Sequence, residues 1–215
     1  MKEILIINGM GGVGKDTFVN CLKNYAKVMH ISIVDIVKST ATKLGWNGEK
    51  DEKSRRFLSD LKVAIDIYND ANYEYVKTVV EQFKTDALLE GYEILCIDMR
   101  EKEQVYKAKK DFGARSVLVV RDSVKNITSN IADAGVFSMD YDVVIKNNST
   151  IDDLNKAAGQ FVSDLRAANS KDEPEHKDVN EGASEKKEEQ DEFDKKVDEF
   201  FDRLEGFLDI FFKKQ

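Results

Sequence analysis

One junction near the start of the chain restricts its fold more than any other feature. Four apolar residues, Ile4-Leu5-Ile6-Ile7, run into Asn8 and then Gly9-Met10-Gly11-Gly12-Val13-Gly14-Lys15-Asp16-Thr17, after which helical spacing holds from Asp16 to Tyr25. The short β-branched run reads as a buried strand. A strand that enters a glycine-rich turn and leaves as a helix turns the backbone N–H groups of that turn inward at a helix N-terminus, where an anion is favoured. The spacing Gly9-x-x-x-x-Gly14-Lys15 adds an ammonium group at the reach of the β- and γ-phosphates of a nucleotide. A glycine turn that binds nothing is the bland alternative; the strand before, the helix after and the lysine in register argue against it. The residues of the cradle are Gly9, Gly11, Gly12, Val13, Gly14, Lys15, Asp16 and Thr17.

The same switch of period recurs down the chain. Glu3–Asn8, Val28–Val34, Tyr92–Asp98, Ser116–Arg121 and Asp142–Lys146 read as buried strands. Asp16–Tyr25, Asp35–Leu44, Glu52–Asn69, Asn72–Leu89, Lys102–Phe112 and Ile151–Ala168 read as helices. Strands alternating with helices imply βαβ units, hence an α/β fold with a five-stranded, mostly parallel sheet in three αβα layers. Gly91 and Gly113 follow helical segments and are expected as left-handed C-caps. Ser149-Thr150, with Asp152 and Asp153 next, reads as a helix start. Three helical segments between the second and third strands exceed what one crossover needs, and the surplus is expected to be a substrate-binding insertion.

Gly14-Lys15-Asp16-Thr17 narrows the family. A Ser or Thr usually stands where Asp16 does, reaching Mg²⁺; a carboxylate is also a good hard-metal ligand. The wording resembles the phage-type deoxynucleoside monophosphate kinases and, more distantly, animal phosphomevalonate kinase, both in the nucleoside monophosphate kinase-like group of P-loop NTPases. The matches run from about residue 3 to 168. Ile33-Val34-Asp35-Ile36-Val37-Lys38 is similar to the segment that faces the phosphate acceptor in these kinases, which implies Asp35 and Lys38 as acceptor-site residues; a helix cap and a surface lysine are the alternatives. Ile94-Leu95-Cys96-Ile97-Asp98-Met99-Arg100 resembles their Asp-Val-Arg stretch, implying that Asp98 holds Mg²⁺ and that Arg100 grips a phosphate. Gly113–Asp122 is similar to the strand leading to the kinase lid, with Arg121 implied as a phosphate contact. Lys15, Asp98, Arg100 and Arg121 are thus the candidate catalytic set, Asp16 and Asp98 the candidate metal ligands, and ATP and Mg²⁺ the implied cofactors.

The pattern thins in the lid. Kinases of this class place arginines there, yet between Asp122 and Met139 the only basic residue is Lys125, and lysine lacks the planar fork of arginine. Arg55 and Arg56, in the helix Glu52–Asn69, are candidates to grip the acceptor's phosphate instead; a solvated helix face explains them equally well. Trp46, Tyr68, Tyr73 and Tyr75 could stack on a ring, though each alone is better explained as core.

Charge separates the chain into parts. Net charge is −8, and residues 170–215 hold 16 acids and 9 bases, so the body is almost neutral and lacks the basic field that nucleic-acid binding requires. The expected organisation is a nucleotide kinase-like domain over 1–169, a disordered charged linker over 170–191, and an amphipathic C-terminal helix over 192–215 carrying Phe193, Val197, Phe200, Leu204, Phe207 and Phe211. That helix could dock on its own body, on a second copy or on a protein partner; with seven acids against five bases it does not suit a membrane surface. Two cysteines in apolar segments give no disulfide framework, and a cytoplasmic protein is expected. The function implied is ATP-dependent phosphoryl transfer to a small phosphorylated acceptor, foremost a (deoxy)nucleoside monophosphate. The alternatives are a nucleotide-binding regulator or slow NTPase whose tail helix binds a partner, and a kinase with a non-nucleotide acceptor.

Overall fold

The computed structural model describes residues 1–49, 51–124 and 135–170. The linker beyond Ser170, the tail helix 192–215 and the lid residue Lys125 therefore lie outside the described residues.

A strand with no polar alternation must be covered on both faces, and β1 (Glu3–Asn8) is buried along its whole length. It occupies the centre of a five-stranded sheet with β2 (Val28–Ser32), β3 (Ile94–Asp98), β4 (Arg115–Val120) and β5 (Val143–Lys146), in the order β2-β3-β1-β4-β5. Every pairing is parallel. Ile7 lies beside Asp98, Asn8 beside Leu118, and Ser32 beside Asp98 on the far side of β3. All carboxyl ends of the strands therefore share one edge. The chain leaves β1 towards β2 and β3 on one side and reaches β4 on the other, so the strand order switches direction at β1. In open parallel sheets such a switch point is where ligands bind.

Alternate residues of the strands face different helices. Leu5, Ile7, Cys96, Val117 and Val119 pack with Phe18 and Leu22 of α1 (Lys15–Leu22) and with Leu154, Phe161 and Leu165 of α6 (Ile151–Asn169). The opposite face is covered by α4 (Ala71–Thr85), through Val76, Val79, Val80 and Phe83, and by α5 (Lys102–Phe112), through Val105 and Ala108. Each large apolar side chain so buried contributes roughly 1.5–3 kcal/mol. Between β2 and β3 lie α2 (Asp35–Lys43), α3 (Glu52–Asn69) and α4, the three helices expected there.

The caps explain where the helices start and stop. Thr150 accepts from the Asp153 N–H while the Asp153 carboxylate accepts from the Thr150 N–H, a full capping box on α6. Gly113 closes α5 at φ 70°, the left-handed cap expected of it. Asp70 alone joins α3 to α4 at φ 52°, a conformation that Asp tolerates better than most residues.

Two local expectations fail. Helix α4 ends at Thr85 rather than Leu89, because Asp86 is extended and its carboxylate accepts from the Leu88 N–H, starting a separate 3₁₀ turn, Ala87–Leu89. Gly91 consequently caps no helix, and it is not among the residues with positive φ.

Candidate functional site

The turn between β1 and α1 is built by three glycines with positive φ and two buried polar side chains. Gly9, Gly12 and Gly14 have φ of 146°, 81° and 93°, which a side chain would strain. A Cβ on Gly9 would stand 2.4 Å from the Val119 carbonyl oxygen, and one on Gly14 would stand 2.4 Å from Asn147 Nδ2. Asn8, fully buried at the end of β1, accepts from the Gly9 N–H at 2.7 Å and donates through Nδ2 to the Arg100 carbonyl at 3.3 Å. Asn147, just beyond β5, donates through Nδ2 to the Val13 carbonyl at 2.8 Å. The loop is thus tied to the exit of the neighbouring β3 on one side and to the exit of the edge strand β5 on the other. Neither asparagine stood out in the sequence, since a polar residue at a strand end reads as a turn former.

Lys15 opens α1, and its side chain folds back over the loop. It is 9% exposed, and its ammonium donates to the Gly9 carbonyl at 2.9 Å and the Met10 carbonyl at 3.0 Å. Helix α1 has no side-chain cap; its N-cap is Gly14. Its leading N–H groups and the Lys15 charge therefore converge on one place, the ordinary construction of an anion site. Gly11 and Gly12 are exposed at the crest of the loop, Val13 is buried beneath it, and Asp16 and Thr17 are exposed on the first turn of α1. Strand, Gly-x-x-x-x-Gly-Lys loop and helix, set at the switch point of a parallel sheet, form a P-loop. The fold is a three-layer P-loop α/β fold.

Asp98 ends β3 beside this loop, and the structure adds a residue not anticipated from the sequence. His30 of β2 places Nε2 3.2 Å from Asp98 Oδ2, and one ligand atom each from Asp16, His30 and Asp98 lie within 4.8 Å of one another. His30 Nε2 and Asp98 Oδ1 are buried atoms without a hydrogen-bond partner among the described residues. Orphaned donors of this kind fit a divalent cation, with Asp16 and Asp98 supplying oxygen and His30 nitrogen. In the sequence, His30 lies within Val28-Met29-His30-Ile31, where a lone histidine passes for a core residue; only the β2–β3 register, unknown beforehand, brings it to Asp98.

The remaining candidates are more dispersed. The Asp35 carboxylate accepts from the Ser32 N–H at 2.6 Å and from Lys38 Nζ at 3.1 Å. It steadies the turn leaving β2 instead of capping α2, whose N-cap is Val34. Tyr75 of α4 is buried close by: burial first, then the negative charge of Asp35, push its hydroxyl above the ordinary tyrosine range. Arg100 is partly buried two residues past β3, and Arg121 is exposed one residue past β4. Arg55 and Arg56 are exposed on the first turns of α3, with Arg56 Nε 3.8 Å from Asp60. Of the aromatic residues, Tyr73 is core, stacked on Phe112 with its hydroxyl donating to Asp111 at 2.8 Å, and Tyr68 is exposed. Trp46 donates through Nε1 to the Glu49 carbonyl at 3.1 Å.

A polar tie joins the insertion to the sheet edge. Lys62 of α3 reaches Asp66 at 2.7 Å and Glu101 at 2.9 Å, and Asp66 also accepts from the buried Asn72 at 2.7 Å. Burial disfavours the Lys62 ammonium, but its hydrogen bonds to Asp66 and Glu101, and their charges, outweigh that and leave its pKa above the ordinary lysine value. Glu101 directly follows Arg100, so α3 is anchored at the exit of β3. A groove of about 490 Å³ along α4 and α5, lined by Tyr73, Lys84, Lys107 and Asp111 among others, includes none of the loop residues.

No protein-family model matches the sequence, and the search of curated proteins gives no match. Solved structures with a similar outline include a sugar kinase from Janibacter sp. (11% identity, 78% of this chain and 98% of that one, TM-score 0.45). Shikimate kinase from Aquifex aeolicus (14% identity, 78% and 98%, TM-score 0.44) is another. The APS kinase of Mycobacterium tuberculosis is more distant (12% identity, 77% and 97%, TM-score 0.36). Likenesses this remote say nothing about activity, which must be argued from the loop and its surroundings.

Proposed function

We propose that the chain is an ATP-dependent phosphotransferase acting on a small phosphorylated acceptor, a (deoxy)nucleoside monophosphate. The observation that carries this reading is the buried Lys15 ammonium, held over the loop within reach of the uncapped N-terminus of α1, with Asp98 beside it. On nucleotide binding the Lys15 ammonium exchanges its carbonyl partners for β- and γ-phosphate oxygens, and the loop N–H groups take the remaining phosphate oxygens. An oxygen of the acceptor's phosphate attacks the γ-phosphorus as the bond to the β,γ-bridging oxygen breaks, and ADP leaves. The acceptor oxygen is already ionised at neutral pH, so the protein's work is positioning and charge neutralisation. A bound Mg²⁺ supplies further neutralisation of the phosphates, and Asp16 and Asp98 would hold it. Arg100 and Arg121, at the exits of β3 and β4, are placed on the edge where the transferred group would lie.

The acceptor belongs on the side of the insertion. Asp35, fixed by Ser32 and Lys38, and the Tyr75 hydroxyl form a polar corner beyond β2, suited to a sugar hydroxyl or a base edge. Coupled ADP release measured over a panel of nucleoside monophosphates, with phosphomevalonate as the non-nucleotide comparison, tests the reading. Turnover with one of the monophosphates is expected; ATP binding without turnover on any acceptor would support a regulator or slow NTPase in its place.

A further inference from the structure

We propose that His30 is a metal ligand, and that with Asp16 and Asp98 it makes a site selecting a first-row transition-metal ion such as Mn²⁺ or Co²⁺ over Mg²⁺, occupied without nucleotide. The inference deepens the phosphotransferase reading, on which it rests only for the position of the site at the phosphate loop. Mg²⁺ takes oxygen donors and water and is usually held by one or two carboxylates together with substrate phosphates. A neutral imidazole adds little for that ion, but it strengthens binding from Mn²⁺ towards Co²⁺ and beyond.

The geometry supports coordination over a simple histidine–carboxylate pair. His30 Nε2 and Asp98 Oδ2 stand 3.2 Å apart, close to the roughly 3 Å between two donors at right angles about 2.1 Å from one ion. Nε2 has no hydrogen bond among the described residues despite that proximity, and Asp98 Oδ1 has none either. Both atoms are shielded from water, so each would remain costly without a partner. The third donor, Asp16, comes from the first turn of α1 and lies within the same 4.8 Å. Two sheet strands supply the other two. Rigid elements are what a preformed site requires, and a preformed site needs no phosphate to complete it.

The test uses the full chain carrying His176→Ala, which removes the other histidine. Calorimetric titrations with Mg²⁺, Mn²⁺ and Co²⁺, without nucleotide, should give one transition-metal ion per chain, bound at least about tenfold more tightly than Mg²⁺. His30→Gln added to that background should weaken Mn²⁺ and Co²⁺ by about tenfold or more, since even outer-shell changes commonly cost that much. Electron spin-echo spectroscopy of the Mn²⁺-loaded H176A protein gives a readout that needs no change at position 30: imidazole ¹⁴N coupling is expected, and His30 is then its only source. Equal affinity for the three ions, or Mn²⁺ without nitrogen coupling, overturns the proposal. ATP binding measured with Mg²⁺ alone keeps the two readings apart. ATP bound without a nitrogen-coupled metal sinks this inference and spares the phosphotransferase; the nitrogen-coupled metal without ATP binding does the reverse.

Discussion

The two sides of the proposed active site are held by different physics. The donor side, β1 with the phosphate loop and α1, is fixed by apolar burial: every residue of β1 is buried, and Phe18, Val19 and Leu22 of α1 are inaccessible to water. The acceptor side rests on α3, an 18-residue helix without a single buried residue, whose Val63, Ile67 and Tyr68 are exposed. Beyond the half-buried Leu58, Leu61 and Ile65, it is tied to the body by charge and hydrogen bonds, chiefly Lys62 to Glu101 and Asn72 to Asp66. A dense core fixes one geometry, whereas polar ties on an accessible helix can be rearranged at modest cost. The contrast separates what every phosphate-loop protein must hold rigid from what a particular acceptor must be able to enter.

Truncation is the bluntest way to break that contrast. Leu5→Ala should cost about 2–5 kcal/mol in a urea melt, because a fully buried side chain leaves a cavity under the sheet. Ile67→Ala, at 82% exposure, should change stability by less than about 0.5 kcal/mol. Similar losses at both positions would show that α3 is as firmly packed as β1. Next in size, Lys15→Ala should lower kcat on the order of 10²-fold or more in the coupled assay while the melt moves little. Unchanged kinetics would remove the lysine from the site.

The polar tie gives a smaller effect. Lys62→Met should cost about 1–3 kcal/mol, as Asp66 and Glu101 lose a half-buried donor, and should raise the KM of the acceptor more than that of ATP. Because the Lys62 pKa lies above its ordinary value of 10.5, its contribution is complete below that value and fades as pH climbs through the higher folded-state value. The gap between Lys62→Met and the parent should close only in strong alkali.

The smallest effect lies at the far edge of the sheet. Asp142 is exposed, and although the little burial it has disfavours its charge, hydrogen bonds from Lys109 and from the Ser116 N–H and hydroxyl hold its pKa below the ordinary 3.8. Its contribution is present above that value and is lost as pH falls through the lower folded-state value. Asp142→Asn should therefore differ from the parent at neutral pH and converge with it in acid, as read from melts at pH 2–7.

What could be read from the sequence follows from how local each determinant is. The central strands announced themselves because burial on both faces leaves unbroken apolar runs, and Gly9, Gly14 and Lys15 because their spacing alone fixes the chemistry. Helices α3 and α5 have the bounds their periodicity indicated, and Gly113 closes α5 as expected, whereas the Asp51 cap of α3 became visible only in the structure. Gly91 misled because a carboxylate five residues earlier had already ended α4. The roles of His30, Asn8 and Asn147 and the approach of Tyr75 to Asp35 were invisible for one reason: each arises from a strand or helix distant in sequence, through a register that composition does not encode.

The hydrogen bond from Asn147 to the Val13 carbonyl spans 134 positions, and this bears on synthesis of the protein. The glycine run leaves the ribosome well before β5, and one of the contacts that shape it is made only after β5 has been translated and has joined the edge of the sheet. A nascent chain shorter than that carries the phosphate-loop sequence without its finished form. The proposed phosphate cradle is thus completed late, after β5 has been made.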